Sequence, residues 1–263
     1  MKPAFDKRNK IFIKIIMSFF GVLFKYYYRL KFEGAAPQDG QYLYIANHNS
    51  GALVESHGLL YYFLKFRPQM KHLYGFTHHS LFRIPLIAQY FFAIGGVPAT
   101  ASVAKEILDL GGSLLIFPGG SNMALRPLRE YKKNSFLDNH GWAKIAQANN
   151  ISVVPITFKN SHFINPVIFR SKTLSMILIL PYLLKIKKFP ITLAQIIFTA
   201  SFIYFALCIQ MNFFLMLLLG LYILMTSVLI PILPVKTYLQ FHEPILPDPA
   251  LETKVAQIMD NIY

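Results

Sequence analysis

Residues 42–58 read YLYIANHNSGALVESHG. The opening YLYIA has the length and aromatic, β-branched content of a buried strand. Asn47 and His48 stand where that strand ends, and an apolar helix is expected near 52–65, with Glu55 in its first turn. Ligands of open α/β sheets gather outside the carboxyl ends of the strands. A histidine at such an end is placed for proton transfer, unless it is simply a polar residue closing the strand. The rest of the chain decides between the two.

Outward from this stretch, strand and helix patterns alternate. HLYGF (72–76), SLLIFP (113–118), ISVVPITF (151–158) and TYLQF (237–241) read as strands. SLFRIPLIAQYFF (80–92), SVAKEILDLG (102–111), HGWAKIAQANN (140–150) and a segment near 250–262 read as helices, the second stopped by Gly111-Gly112. This order predicts an α/β fold, a mixed sheet with helices over its faces.

Of the 263 residues, 54% are apolar and 14% charged, with Lys and Arg outnumbering Asp and Glu by 26 to 12. A soluble domain is usually about 25% charged. A basic, aromatic-rich and greasy chain points to a bilayer carrying anionic lipid, and the apolar content argues against nucleic acid. The single cysteine, Cys208, rules out a disulfide framework and a cysteine-based metal site.

Two segments carry the membrane reading. Residues 1–31 contain an uncharged core, Ile15 to Phe24, bordered by Lys14 on one side and Lys25, Arg29 and Lys31 on the other. That core is half of the roughly 20 residues a spanning helix needs, so it predicts an uncleaved helix lying in the interface. A signal peptide is the alternative, and GAAP at 34–37 makes a poor cleavage site. Residues 189–235 contain no charge, with Gln210-Met211-Asn212 as the one polar cluster in mid-run and Lys185, Lys187, Lys188 and Lys236 at the flanks. They predict a transmembrane hairpin, helices near 191–209 and 213–231, both ends on the cytoplasmic side. Two core helices of a soluble protein are the alternative. The remaining stretches, 32–188 and 236–263, form the α/β domain, placed on the cytoplasmic face of a membrane.

The residues expected to carry chemistry are His48, the Pro118-Gly119-Gly120 turn and Pro155, each on a predicted strand or at its carboxyl end. Paired glycines let a backbone come close to a ligand and aim N–H groups at an anion. A neutral imidazole near pH 7 suits proton transfer. Ser50 as a covalent nucleophile is disfavoured, because HNSGA lacks a Gly-x-Ser-x-Gly elbow. His78-His79 have no Asp, Glu or Cys partner at ligand spacing, so no metal is expected.

Taken together, these residues resemble the glycerolipid acyltransferases of the lysophospholipid acyltransferase superfamily. That family has an Asn-His-x4-Asp block, a glycine-containing second block, a Phe-Pro-Glu/Gly-Gly third block and a Val-Pro fourth block. This chain offers NHNSGALVE (47–55), IGGVPA (94–99), FPGGSN (117–122) and VVPITF (153–158) in that order. The similarity covers about 29–160 and resumes at KTYLQFHEPI (236–245); its Pro-Gly-Gly form looks like the monoacylglycerol and diacylglycerol acyltransferase branch. The resemblance implies a membrane-bound O-acyltransferase of glycerolipid metabolism. His48 would be general base, moving an acyl chain from acyl-CoA or acyl-ACP to a lipid alcohol or lysolipid, with no other cofactor. It also implies Asn47, Gly96, Pro118, Gly119, Gly120, Ser121, Asn122 and Arg126 at the substrates.

Three departures from the pattern matter. Leu53 stands at the family's Asp position, and the nearest acid is Glu55. In the second block Ala99, Thr100, Ala101 and Ser102 replace the arginine that often binds phosphate. Met123 replaces an acid after the glycines, and the first nearby cations are Arg126 and Arg129. Without those arginines bidentate phosphate binding is lost, which favours an acceptor lacking a phosphomonoester. A catalytically silent lipid-binding relative is the alternative that the missing Asp suggests; a transport component is a third reading, resting on the hairpin alone. If a His–carboxylate pair exists, Glu55 must supply it, through a non-helical turn at Asn49-Ser50-Gly51.

Overall fold

The computed structural model describes residues 6–49, 53–68, 73–133, 140–178, 180–183 and 187–262. The first half runs α1 (Lys10–Val22), β1 (Lys31–Glu33), β2 (Leu43–Ala46), α2 (Val54–Phe66), β3 (Leu73–Thr77), α3 (Pro85–Ile94), β4 (Gly96–Pro98), α4 (Ala101–Asp109), β5 (Ser113–Ile116) and α5 (Gly120–Ala124). Then come α6 (Gly141–Ala148), β6 (Val153–Lys159), β7 (Val167–Ser171), α7 (Lys172–Ile177), α8 (Leu180–Leu183), β8 (Phe189–Thr192), α9 (Leu193–Cys208), α10 (Phe213–Thr226), β9 (Tyr238–Phe241) and α11 (Leu251–Asp260).

Among the described residues one sheet has the order β1-β9-β6-β2-β5-β3-β4. Only the β6–β9 pairing in it is antiparallel. The neighbours of β6 on its other side, from β2 to β4, all pair in parallel, so the carboxyl ends of β2 to β6 lie along one edge. This is the mixed α/β fold expected from the alternating pattern. The strand β2 shows why its sequence is a continuous apolar run. Leu43 and Ile45 join one core with Ile107, Trp142 and Val255, while Tyr44 and Ala46 join another with Leu59, Tyr62 and Phe158. With both faces covered, every position of the strand is buried.

The α1 helix starts at an Asn9 cap and packs on α2 and α3 through Ile13 and Met17. Its opposite face exposes Ile11, Ile15, Phe19 and Val22, and the helix widens into a π turn over Leu23–Tyr27. Buried His57 ties these layers together. Its Nδ1 approaches the Leu53 carbonyl at 2.9 Å, its Nε2 bonds the Tyr90 hydroxyl, and its ring stacks on Phe20. Burial pushes its pKa down to about 4, so the ring is neutral at pH 7.

Several expectations need correction. Residues 79–83 form a 3-10 turn before Pro85 opens α3, so 80–92 is not one helix. Strands β1, β4, β7 and β8 were not expected at all. The transmembrane hairpin is also overturned: no helix among the described residues is long and apolar enough to cross a membrane. The charge-free run begins as β8, which pairs antiparallel with β7. It ends by folding back on the domain, where Ile232 and Leu233 donate to the Ile164 carbonyl. What remains are helices of 16 and 14 residues. At 1.5 Å per residue they reach about 24 and 21 Å, short of a ~30 Å hydrocarbon core. Lys185, one flank of the expected hairpin, lies outside the described residues.

Candidate active site

The strand β2 delivers Asn47, His48 and Asn49 to the carboxyl edge of the sheet. Asn47 is buried, and its side chain pairs with the backbone of β6: its Nδ2 donates to the Phe158 carbonyl at 2.9 Å, and its Oδ1 accepts from the Phe158 N–H at 2.6 Å. It therefore extends the sheet by one side-chain rung, a role the resemblance did not imply. The Asn49 Nδ2 donates to the same carbonyl at 3.0 Å and to Ser161 Oγ at 3.2 Å.

Leu53 begins α2 with a left-handed backbone, φ 60°, a conformation that costs a non-glycine residue roughly 1–2 kcal/mol. That turn brings the first helical turn back over the end of β2. The Glu55 Oε2 lies 2.5 Å from His48 Nδ1, while its Oε1 accepts from the Asn49 N–H at 2.8 Å and from Ser161 Oγ at 2.6 Å. Glu55 is fully buried, whereas the His48 side chain is 25% exposed. A buried carboxylate with three donors is desolvated yet satisfied. With Nδ1 directed at Glu55, the other ring nitrogen, Nε2, is the one left to act as base. Ser50, the competing nucleophile, lies outside the described residues.

The third block shapes the floor beside His48. The Phe117 ring lies 4.8 Å from the imidazole and also lines a cavity of about 1110 Å³. Pro118, Gly119, Gly120, Ser121 and Asn122 line the same cavity, as do Ala99, Thr100 and Ala101 beyond β4. Gly119 has φ +81°, and a Cβ there would meet Met123 Cγ at 2.2 Å, so position 119 requires glycine. The Gly120 N–H donates to the Phe117 carbonyl at 3.1 Å, closing the turn instead of facing a ligand.

Three further expected residues take the following positions. Gly96 sits in β4, where a Cβ would press on Thr77 Oγ1 and Phe91 at 3.0–3.1 Å; it is small for packing and does not line the cavity. Pro155 lies on β6, opposite Ile45 of β2, one of the two placements expected of it. Arg126 is buried, and its guanidinium donates to the carbonyls of His48, Met123 and Tyr131 and to Asn49 Oδ1, the last at 2.6 Å. It fastens the His48 loop to the third block and also lines the cavity. His78 and His79 stack on each other, with His78 Nδ1 bonded to Ser80.

Arg126→Met is expected to cost about 2 kcal/mol of stability through lost charge-assisted hydrogen bonds. Turnover should fall about tenfold with little change in KM, and Arg126→Lys should recover little, since an ammonium cannot span the same acceptors. Denaturant unfolding and steady-state kinetics measure both; an unchanged kcat would remove the clamp from catalysis.

Sequence reasoning missed Ser161. It follows β6, 106 positions from Glu55, and a serine after a strand carries no signal of its own. It also missed the cationic mouth of the cavity, where Lys133, Lys144, Lys187 and Lys188 stand around Arg170, which pairs with Glu130.

Residues 29–159 match the model of the family described as Acyltransferase. No curated protein matches the chain. Among solved structures, the 1-acyl-sn-glycerophosphate (LPA) acyltransferase PlsC from Thermotoga maritima matches with a TM-score of 0.54 and 17% identity, over 95% of this chain and 77% of that one. At that identity the likeness is one of fold.

Proposed function

Because residues 29–159 match the Acyltransferase family and the fold resembles that of a solved acyltransferase, we propose that this chain is a member of the lysophospholipid acyltransferase superfamily that moves an acyl chain from a thioester donor to a lipid hydroxyl at a membrane surface. The observation that carries this reading is the contact between His48 Nδ1 and buried Glu55 at the carboxyl edge of the sheet. His48 Nε2 takes the proton of the acceptor hydroxyl as that oxygen attacks the thioester carbonyl. The tetrahedral intermediate then collapses: the carbon–sulfur bond breaks, the ester remains on the lipid, and the proton passes from His48 to the departing thiolate. No acyl group resides on the enzyme. Glu55 keeps the ring in the tautomer with hydrogen on Nδ1 and balances the imidazolium as it forms.

The lysines at the cavity mouth suit the phosphates of a coenzyme A or phosphopantetheine donor. The absence of arginine among residues 99–102, and the engagement of Arg126 by backbone carbonyls, favour an acceptor without a phosphomonoester, as in the monoacylglycerol and diacylglycerol branch. A catalytically silent relative was suggested by Leu53 at the Asp position. Glu55 supplies a carboxylate to His48 from another position, which supports the enzyme over that alternative.

The test is purified protein with labelled acyl-CoA or acyl-ACP against monoacylglycerol, diacylglycerol and lysophospholipid acceptors. The expected result is ester formation matched by free thiol, fastest with a neutral acceptor. Thiol release from neither donor with any acceptor would sink the proposal.

A further inference from the structure

The hairpin formed by α9 and α10 has a polar base and an apolar shaft. At the base, the Thr192 and Gln195 side chains cap the start of α9 reciprocally, and Gln195 Nε2 donates to the Leu224 carbonyl across the two helices at 2.7 Å. Asn165 accepts from the Ala194 N–H and donates to the Val228 carbonyl. These side chains are all buried, so the hairpin is fixed to the sheet domain by satisfied hydrogen bonds. Beyond the base the surface changes character: Tyr204, Leu207, Phe213, Phe214, Leu218 and Tyr222 are each 62–76% exposed.

The chemistry of that surface selects its partner. A helix lying on a bilayer needs a charged face, and α1 has one, with Lys10, Lys14 and, in the π turn, Lys25 among its exposed apolar side chains. Helices α9 and α10 have no charge on any side, the pattern of helices surrounded by apolar matter. A second copy of the chain would cover one face of the pair, whereas here the exposed side chains include adjacent positions 203–205, which point in different directions. Lys236 flanks the base, where lipid phosphates would meet it. The base also adjoins the end of the α1 segment. Arg29 donates to the Pro234 carbonyl, and Val235 packs with Phe24, Tyr28 and Ile164.

The tip pairs much of its backbone internally. The N–H groups of Ile209, Gln210 and Met211 donate to carbonyls of α9, and Asn212 Oδ1 accepts from those of Phe214 and Leu215. Five backbone donors paired within the turn leave fewer polar groups for hydrocarbon to meet. We propose that this hairpin dips into the hydrocarbon of one leaflet and returns to the same side without crossing. It supplies a second, deeper anchor beside α1, which lies flat in the interface.

Cys208 ends α9, is exposed and is the chain's only cysteine, so it reports the depth of the tip without substitution. The protein is labelled there with an environment-sensitive fluorophore and bound to phosphatidylcholine–phosphatidylglycerol vesicles carrying nitroxides at the headgroup or deep in the acyl chain. The expected result is stronger quenching by the deep nitroxide and none by a water-soluble quencher trapped inside the vesicles. Stronger quenching from the headgroup would mean a hairpin lying on the surface. Quenching from the lumen would mean a crossing, and shielding from lipid and water alike would mean a covering copy of the chain. Any of these outcomes overturns the proposal. A Phe214→Lys, Leu218→Lys variant, checked for native circular dichroism, is expected to bind the same vesicles about tenfold more weakly or worse; unchanged binding also refutes the insertion. Neither readout needs turnover, so failure here leaves the acyl-transfer reading standing, and the converse holds.

Discussion

Replacing His48 by alanine is expected to lower kcat by about 10²–10⁴-fold, the usual contribution of a positioned general base. The ring is one-quarter exposed and lies at the end of a strand whose core neighbours do not include it. Folding should therefore survive, and the denaturant midpoint should move little. One qualification is structural: Glu55 then loses a donor, but Asn49 and Ser161 still satisfy its other oxygen. The comparison is steady-state transfer by wild-type and variant protein at matched membrane occupancy. A variant that retains near-normal kcat would exclude His48 as the base, whatever its effect on KM.

Glu55→Gln should be nearly as damaging, for a different reason. The carboxylate accepts on both oxygens, from His48 on Oε2 and from Asn49 and Ser161 on Oε1. An amide has one accepting end. If its NH₂ faces His48, the imidazole must accept at Nδ1 and carry its hydrogen on Nε2, the nitrogen required to take a proton. If its NH₂ faces the other way, two donors oppose each other in a buried site. A wrong tautomer in a related constellation costs about 10⁴-fold, so a kcat loss of about 10³-fold with KM held within a few fold is expected here. Nitrogen chemical shifts of His48 distinguish the tautomers directly, a readout that mere destabilisation would not alter. A variant with a raised KM, normal kcat and unchanged tautomer would show that Glu55 only supports the fold.

The sequence made the sheet legible where strands were buried on both faces. The β2 run is apolar throughout because its side chains enter the two cores in alternation, and β6 is apolar at Val153, Val154, Ile156 and Phe158 for the same reason; such runs need no tertiary knowledge to recognise. By contrast β1, β4, β7 and β8 span three to five residues, too short to show a period, and their pairing partners lie far off in the chain. The paired glycines at 119–120 were readable as a turn; that the Gly120 N–H closes it, by donating to the Phe117 carbonyl, was not.

Absence of charge misled in one place because it reports only that water is excluded. Residues 189–235 avoid charge for separate reasons: pairing as β8, shielding at the hairpin base and, on the insertion proposed above, lipid around the shaft. Composition cannot divide them, and only the observed helix lengths of 16 and 14 residues do.

What the sequence determined by itself is therefore the layer order, the edge at which chemistry would gather, and His48 at that edge, since these follow from local periodicity and from where a strand must stop. The sequence also named Glu55 as the acid for such a pair; that Glu55 does close on the imidazole was decided by the tertiary structure. The left-handed turn at Leu53 re-aims α2, β6 brings Ser161 to the far oxygen of Glu55, and Arg126 pins the His48 carbonyl from another segment. Hydrogen bonds of this kind depend on distances between segments remote in the chain. Those distances are set by strand order and helix packing, which no local pattern encodes.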